Sequence, residues 1–476
     1  VTSLDGQMLE YATDSVLVPE NIVNVYYDSG DIFVRMKDDE MVLPNVQGQR
    51  HVAGIFYALE RYALIKVGFE LINPKTIDFA EVTTDANGTQ TLGMISNGVY
   101  IPVYLNSDED AQTVLKTITD RNPDLMQTGS DLINLNALSI VDFCAQEGII
   151  SLYRGAYCYA HYDMEEKAKK AFLETLENSD DYIKVQDRYI NLKSADFFIY
   201  DPENEILTVR AHGFNYNGQS KIQHKDDTYP KIMTEAIEMS RGAYRAMTAK
   251  LKAHGYLPAE DEDVMINPAQ IVSVQASHLG DMAVCHVIMQ GDDKPFVVAN
   301  PANAFFDMAE KACPSIRMQD DIYQISRVEA LGSFNSSNEV SVLADNVKYA
   351  YADLKSAYNV TTQKLLMRAG SDQINAASVS MLIGEEERLN AYFNTRAACK
   401  IKTSSPAYEI REFRKVVEGR QKNEKSQAVA HHRSRELSRM IARNPQFQDM
   451  TFKSHQNPQV MLFGTHPRYA HPGTGH

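Results

Sequence analysis

Four aspartates stand where the ends of strands could bring carboxylates together. Asp292 and Asp293 follow Gly291 in a turn between the apolar stretches MAVCHVIMQ and KPFVV, and Asp196 and Asp201 flank the stretch FFIY about a hundred residues earlier. Carboxylates that converge at strand ends can bind a pair of divalent metal ions, which together stabilise an in-line displacement at phosphorus. These aspartates are therefore the candidate ligands for Mg²⁺ chemistry.

The Gly-Asp-Asp turn resembles the turn of template-dependent RNA polymerases in which an aspartate binds catalytic Mg²⁺. The resemblance implies a nucleic-acid enzyme, but the Ser-Gly helix motif that such enzymes carry between the two strands is not matched by SRGAYRAMTAKL. The stretches GDDK and DPEN are also typical of ordinary hairpin and type I turns. The aspartates stay an alternative site only, and the sequence favours a protein without catalytic residues over an enzyme.

The histidines and cysteines form no set with metal-ligand spacing. His278 and His286 are eight residues apart without a third ligand of suitable spacing, and His431 and His432 would point about 100° apart on a helix. The five cysteines are scattered without a close pair, which predicts small buried side chains in a reducing compartment. Signatures such as GxxxxGK[ST] and HExxH are also missing. The sequence predicts neither a metal site nor a cofactor.

Charge is distributed unevenly along the chain. The net charge is −16, yet residues 407–443 carry ten Lys and Arg against five Asp and Glu, which leaves the first 406 residues near −22. A basic helix can bind phosphate groups or an acidic protein surface. From residue 412 onward its only aromatic residue is Phe413, too few for nucleic-acid stacking, which favours protein contact. The partner-binding residues are predicted to be Arg433, Arg435, Arg439 and Arg443.

The last stretch, FGTHPRYAHPGTGH, contains no apolar pattern that could form a core. A segment of Gly, Pro and His gains order mainly by lying on another surface. We therefore expect residues 444–476 to form an extended arm that docks on a neighbouring subunit. Phe463 and Tyr469 are its predicted anchors.

The pattern of elements predicts an α+β protein with four parts. Hairpins are expected around Asp28–Asp31 and Asn87–Gly88, and helical spacing is found in 50–72, 108–122, 135–178, 229–255, 342–370 and 371–400. The predicted parts are an α+β domain (1–180), a second β-rich α+β domain (181–337), an all-helical C-terminal region (338–443) and the extended arm (444–476). No internal repeat is apparent, which argues against a repeat architecture.

These features lead to a functional hypothesis. The N-terminal stretch lacks the basic and apolar regions of a secretory signal, and no apolar run is long enough to span a membrane. We expect a protein of the host cytoplasm or of a virion: an assembly subunit of a viral, bacteriophage-type particle that binds copies of itself or other subunits. The alternatives are a polymerase-like nucleic-acid enzyme subunit and a basic-helix module that binds nucleic acid.

Overall fold

The strands among the described residues form seven sheets, and every pair of neighbouring strands in them is antiparallel. The structure is a computed structural model. It describes residues 2–417, except for 213–231, 333–339, 352–365 and further gaps of one to three residues. Within these limits no helix is long and apolar enough to cross a membrane.

Six of the sheets, I to VI, are each made from one continuous stretch of chain, after three initial strands that join sheet VII. The initial strands are β1 (Thr2–Leu4), β2 (Met8–Ala12) and β3 (Ser15–Leu17). Sheet I contains β4 (Ile22–Asp28), β5 (Asp31–Met36), β6 (Glu40–Val42), α1 (Gly48–Tyr62), β7 (Ile65–Val67) and β8 (Glu70–Ile72). Sheet II contains β9 (Ile77–Thr84), β10 (Gln90–Ser96), β11 (Val99–Tyr104), α2 (Ala111–Arg121), β12 (Leu125–Thr128) and β13 (Asp131–Asn134).

The same order of elements recurs in the next sheets. Sheet III contains β14 (Ile140–Cys144), β15 (Ile149–Arg154), β16 (Tyr157–Asp163), α3 (Glu166–Glu177), β17 (Tyr182–Val185) and β18 (Arg188–Asn191). Sheet IV contains β19 (Ala195–Asp201), β20 (Ile206–His212), β21 (Ile232–Glu238), α4 (Arg241–Ala253), β22 (Leu257–Ala259) and β23 (Val264–Ile266). Sheet V contains β24 (Ile271–Leu279), β25 (Met282–Met289), β26 (Phe296–Ala299), α5 (Ala304–Ala312), β27 (Ser315–Met318) and β28 (Asp321–Gln324).

Sheets VI and VII complete the series. Sheet VI contains β29 (Val328–Gly332), β30 (Val340–Ala344), β31 (Val347–Tyr351), β32 (Leu366–Ala369) and β33 (Asp372–Asn375). Sheet VII combines β34 (Val379–Glu385), β35 (Arg388–Phe393), β36 (Ala398–Lys402) and the helix α6 (406–417) with β1–β3. In each of sheets I to VI the hydrogen-bonded order is third, second, first, fifth and fourth strand, and in sheet VII β3 and β2 take the places of the fifth and fourth. Both ends of the described chain therefore build one sheet.

Each sheet packs face to face on the next one, and the series closes on itself. In β13, Leu132 belongs to the cluster between sheets I and II, and the adjacent Ile133 belongs to the cluster between sheets II and III. The clusters continue from sheet III through to sheet VII. The last one joins sheet VII, through Tyr11 and Met381, to Val25 of sheet I. The result is a closed ring of seven sheets, comparable to the radial repetition of a β-propeller but with five strands in most sheets.

Turns between consecutive sheets contain an amide side chain that forms hydrogen bonds both within its own turn and to the preceding turn. Five of these turns begin with Ile-Asn, and in each the Asn Oδ1 accepts a hydrogen bond from the backbone N–H two residues later, as in the 3.0 Å bond from Ala377 to Asn375. Its Nδ2 donates to carbonyls of the preceding turn: for Asn375 these are Ile325 (3.1 Å) and Val328 (2.9 Å). The five residues are Asn73, Asn134, Asn191, Asn267 and Asn375.

Two turns use a different amide, and these complete the circuit. Gln324 replaces Asn between sheets V and VI and donates to the Pro268 carbonyl. Between sheets VII and I, Asn21 donates to the carbonyls of Ala377 (3.2 Å) and Val379 (2.7 Å). Seven amides thus join the seven turns end to end.

The repeat and the C-terminal strands correct two expectations from the sequence. The protein does contain an internal repeat, which the sequence patterns hid because its Ile-Asn pairs are not evenly spaced. The helices expected in 342–370 and 371–400 are wrong, because β30–β36 occupy the described parts of these segments. Gly370, the last residue of the first of these segments, forms the turn between β32 and β33 with φ +58°. Cross-strand pairing and burial on both faces outweighed local helical spacing.

Other predicted elements are confirmed or shortened. The hairpins at Asp28–Asp31 and Asn87–Gly88 are confirmed, and so is α2. Of the helix expected in 229–255 only the part in α4 is helical, because Ile232–Glu238 forms strand β21. Of the helix expected in 135–178 only the part in α3 is helical. The predicted boundary at residue 180 falls inside sheet III, and the boundary at 337 falls inside sheet VI. The predicted arm, 444–476, lies outside the described residues.

The amide circuit predicts the effect of one substitution. Asn375→Ala leaves the buried carbonyls of Ile325 and Val328 without this donor and removes the cap of its own turn. We expect the free energy of unfolding to fall by about 2–4 kcal/mol, measured by urea denaturation. The control is Asn204→Ala, which removes an exposed contact with Asp201 and should change stability by less than about 0.5 kcal/mol. Equal losses in the two variants would show that the circuit does not stabilise the ring.

Candidate functional site

The structure brings two of the four predicted aspartates together, on an arginine. Asp196 is fully buried and occupies a bulge at the start of β19, where the strand register shifts between Ala195 and Phe197. Its Oδ2 atom lies 3.2 Å from Nε of Arg210 on β20. The Nη2 group of Arg210 donates to Oδ1 of Asp292, which follows β25. One guanidinium therefore balances two carboxylates and joins sheet IV to sheet V.

This ion cluster continues into sheet VI through backbone groups. The N–H of Gly291 donates to Oδ2 of Asp345 (2.8 Å), and the N–H of Asp345 donates to the carbonyl of Arg327 (3.1 Å). Arg327 in turn donates to the carbonyl of Ala269 (2.8 Å), in the turn between sheets IV and V. Burial lowers the pKa of Arg327, and the nearby carboxylates of Asp345 and Asp196 oppose that shift. We call Asp196, Arg210, Asp292, Asp345 and Arg327 the ionic network.

The other two aspartates do not join that network. Asp201 accepts hydrogen bonds from the N–H of Glu203 (2.9 Å) and from the N–H and side chain of Asn204, which lower its pKa, the side-chain bond most. It lies five residues after Asp196 on the same strand, which separates the two by about 16 Å. Asp293 lies outside the described residues. The part of the chain that the structure describes contains no group of three or more His, Cys, Asp or Glu side chains placed to hold a metal ion.

The predicted partner-binding residues all lie beyond residue 417, where the structure describes nothing. They are Arg433, Arg435, Arg439, Arg443, Phe463 and Tyr469. Among the cysteines whose side chains are described, Cys285, Cys313 and Cys399 are buried as predicted, whereas Cys144 is exposed.

A cleft between sheets V and VI was not predicted from the sequence. It has a volume of about 480 Å³ and is lined from sheet V by strands β24, β25 and β28 and from sheet VI by β31. Asp321 and Tyr323 alternate along β28, and Tyr349 and Tyr351 alternate along β31, so that each pair points to one face of its strand. His286, noted in the sequence for its spacing from His278, lies in the wall on β25.

Hydroxyl groups and a carboxylate form a relay in the cleft. Tyr351 donates to Oδ2 of Asp321 at 2.5 Å, so its single proton is used there. The hydrogen bond between the hydroxyls of Tyr323 and Tyr351 must then be donated by Tyr323. The ring of Tyr323 also lies 5.1 Å from that of Tyr349 and 6.2 Å from that of Tyr351, between centroids. Three tyrosines are therefore gathered around one carboxylate.

Burial dominates the titration of this group of side chains. It raises the pKa of Asp321, against the hydrogen bonds from Tyr351 and Gln275, which lower it. Burial also raises the pKa of Tyr323, Tyr349 and Tyr351, so all three are protonated donors near neutral pH. The spacing D-x-Y in DIYQ and Y-x-Y in KYAY was the available sequence signal, but only the packing of sheet V on sheet VI brings the two together.

Comparison with known proteins adds no family to this description. No protein-family model matches the chain, and no characterised protein matches its sequence.

The ionic network predicts a loss of stability in Arg210→Met. The substitution leaves the carboxylates of Asp196 and Asp292 without the guanidinium that they share, and Asp196 is fully buried. We expect a loss of about 3–5 kcal/mol in the free energy of unfolding, measured by urea denaturation at pH 7. Arg35→Met, in the more exposed pair with Glu40, is the control and should lose less than about 1 kcal/mol.

Removal of the charge of Asp321 is predicted to raise stability, in contrast to the loss expected for Arg210→Met. Because burial raises its pKa, the ionised carboxylate destabilises the fold above that raised value, and the cost disappears as pH falls below the ordinary carboxyl pKa. Asp321→Asn keeps an acceptor for Tyr351 and removes the charge, so it should unfold at a higher temperature than the wild type at pH 7, with a difference that vanishes near pH 3.5. Asp281→Asn, at the exposed tip of the β24–β25 hairpin, should show no difference. A lower unfolding temperature for Asp321→Asn at pH 7 would contradict the assignment.

Proposed function

We propose that the protein is a structural subunit of a multi-subunit particle, of the viral, bacteriophage type, in which the ring is a rigid body that contacts neighbouring subunits. The support comes from the surface of the ring and from the distribution of charge. Sheets that are buried on both faces leave little freedom for domain motion, and such a body is suited to assembly.

A pair of exposed aromatic side chains carries the proposal. Phe69, between β7 and β8, is 80% exposed, and Tyr104, at the end of β11, is 64% exposed. Gly68 has φ +58°, and a Cβ on it would lie 2.0 Å from the carbonyl oxygen of Tyr104. The backbones of sheets I and II therefore approach each other closely at this point, which places the two exposed residues on neighbouring segments of the surface. Neighbouring exposed aromatic groups are typical of protein contact surfaces.

Charge complementarity supports self-association. Residues 1–406 carry a net charge near −22, whereas residues 407–443 carry +5. An acidic ring in one copy attracts the basic segment of another, and this attraction raises the rate of encounter and fixes orientation. The basic segment and the arm, 444–476, are the proposed contacts to neighbouring subunits.

The ionic network makes the enzymatic alternative less well supported. Asp196 and Asp292 both contact Arg210, and a guanidinium in that position repels the Mg²⁺ ions that a polymerase-like site requires. Nucleic-acid binding by the basic segment remains the other candidate. It predicts an affinity that falls steeply with salt and is lost on charge reversal in that segment.

Light scattering of the full chain over a range of concentrations and salts tests this proposal. We expect the wild type to self-associate, and we expect Phe69→Ser with Tyr104→Ser to weaken association at least about tenfold. Arg433→Glu with Arg435→Glu and Arg439→Glu should weaken it mainly at low salt. Tyr57→Ser, which changes an exposed tyrosine on α1, is the control and should leave association unchanged.

A wild-type protein that stays monomeric at every concentration and salt would show the proposal to be wrong. If that monomer also bound nucleic acid, and lost the binding on the three charge reversals, the basic segment would be assigned to nucleic acid instead.

A further inference from the structure

The cleft between sheets V and VI is negatively charged, which favours the binding of a cation. Its lining includes the carboxylates of Asp320 and Asp321, and no lysine or arginine is among the residues that line it. Asp320 is exposed at the entrance, whereas Asp321 is partly buried within the wall. A positive group that entered would meet two carboxylates and no competing cation from the lining.

The tyrosines give the cleft a preference for a planar cation. Tyr349 and Tyr351 present partly exposed aromatic rings near the carboxylate of Asp321, and the fully buried Tyr323 packs against both rings. Aromatic faces attract cations through the ring quadrupole, and the flat guanidinium group stacks on them better than an ammonium group does. The relay from Tyr323 through Tyr351 holds Asp321 in place, which reduces the ordering cost of binding.

The carboxylate of Asp321 is held in a fixed orientation by its neighbours. Its Oδ2 atom accepts the hydrogen bond from Tyr351, and the hydrogen bonds from Tyr351 and Gln275 favour the charged form against burial. A guanidinium in the cleft would be attracted by this charge and could form a charge-assisted hydrogen bond with the exposed carboxylate of Asp320.

We propose that this cleft binds the guanidinium group of an arginine from the basic segment of another copy of the chain. The part of that segment after α6, residues 418–443, contains seven Lys and Arg against three Asp and Glu. The proposal rests on the proposed function, because it assigns one contact of the assembly. The proposed ligand is a planar group with a single positive charge, and it belongs to a second copy of the chain.

Binding of a labelled peptide to the full-length protein tests the assignment. The probe is a fluorescent peptide of residues 430–443, AHHRSRELSRMIAR, and a matched peptide carries citrulline in place of its four arginines. Citrulline keeps the shape of the side chain and loses its charge. We expect fluorescence anisotropy to show binding of the arginine peptide and at least about tenfold weaker binding of the citrulline peptide.

Two variants locate the binding in the cleft. Asp321→Asn should weaken binding of the arginine peptide at least about tenfold, whereas Asp281→Asn, an exposed acid elsewhere on sheet V, should leave it unchanged. Asp320→Asn changes only an exposed side chain, and we expect it to weaken binding about threefold. It keeps the test valid if Asp321→Asn does not fold. Equal binding of both peptides, or equal binding by the wild type and both cleft variants, would overturn the proposal.

The outcomes separate this proposal from the proposed function. If the full chain self-associates and the peptide does not bind in the cleft, the cleft assignment is wrong and the assembly proposal stands. If the peptide binds in the cleft and the full chain stays monomeric, the cation site is confirmed and its source in a neighbouring copy is wrong.

Discussion

The seven amide side chains at the sheet junctions are the interaction on which the ring depends. Each one satisfies carbonyls that its neighbouring turn cannot pair within its own sheet, and buried carbonyls left unpaired cost about 1–3 kcal/mol. Asparagine suits this position since its Oδ1 also caps the tight turn that starts the next sheet. Every junction is therefore held by the junction before it, and the geometry of one turn is transmitted around the ring.

Closure adds a second constraint, because sheet VII is built from both ends of the described chain. β3 pairs with β34, so that Val16 lies opposite Leu382, and Asn21 supplies the last amide of the circuit. Contacts so distant in sequence carry a loop-closure cost, which the pairing and packing of β1–β3 must offset. Once formed, these contacts allow the last sheet to pack face to face on the first, which converts an open series into a closed one.

The ionic network and the cleft both lie where the repeat is broken. They occupy sheets IV to VI, the region in which Gln324 replaces the usual asparagine. Buried charges at Asp196 and Arg210 add little stability over apolar packing, since desolvation offsets their attraction. A polar group that occurs in only one unit of a repeat protein is more easily explained by a specific contact than by a gain in stability. The cation site proposed for the cleft is one such contact.

The sequence by itself determined the short-range features: the hairpin turns at Asp28–Asp31 and Asn87–Gly88, the helix α2, and the charge difference between body and basic segment. The Ile-Asn pairs that mark five of the sheet junctions were also present in the sequence. The tertiary structure alone decided that the segments after residue 338 are strands, that Asp196 and Asp292 share Arg210, and that Asp321 meets Tyr351. The reason is physical: side-chain spacing records local preference, whereas pairing between sheets depends on contacts across tens of residues that no local pattern specifies.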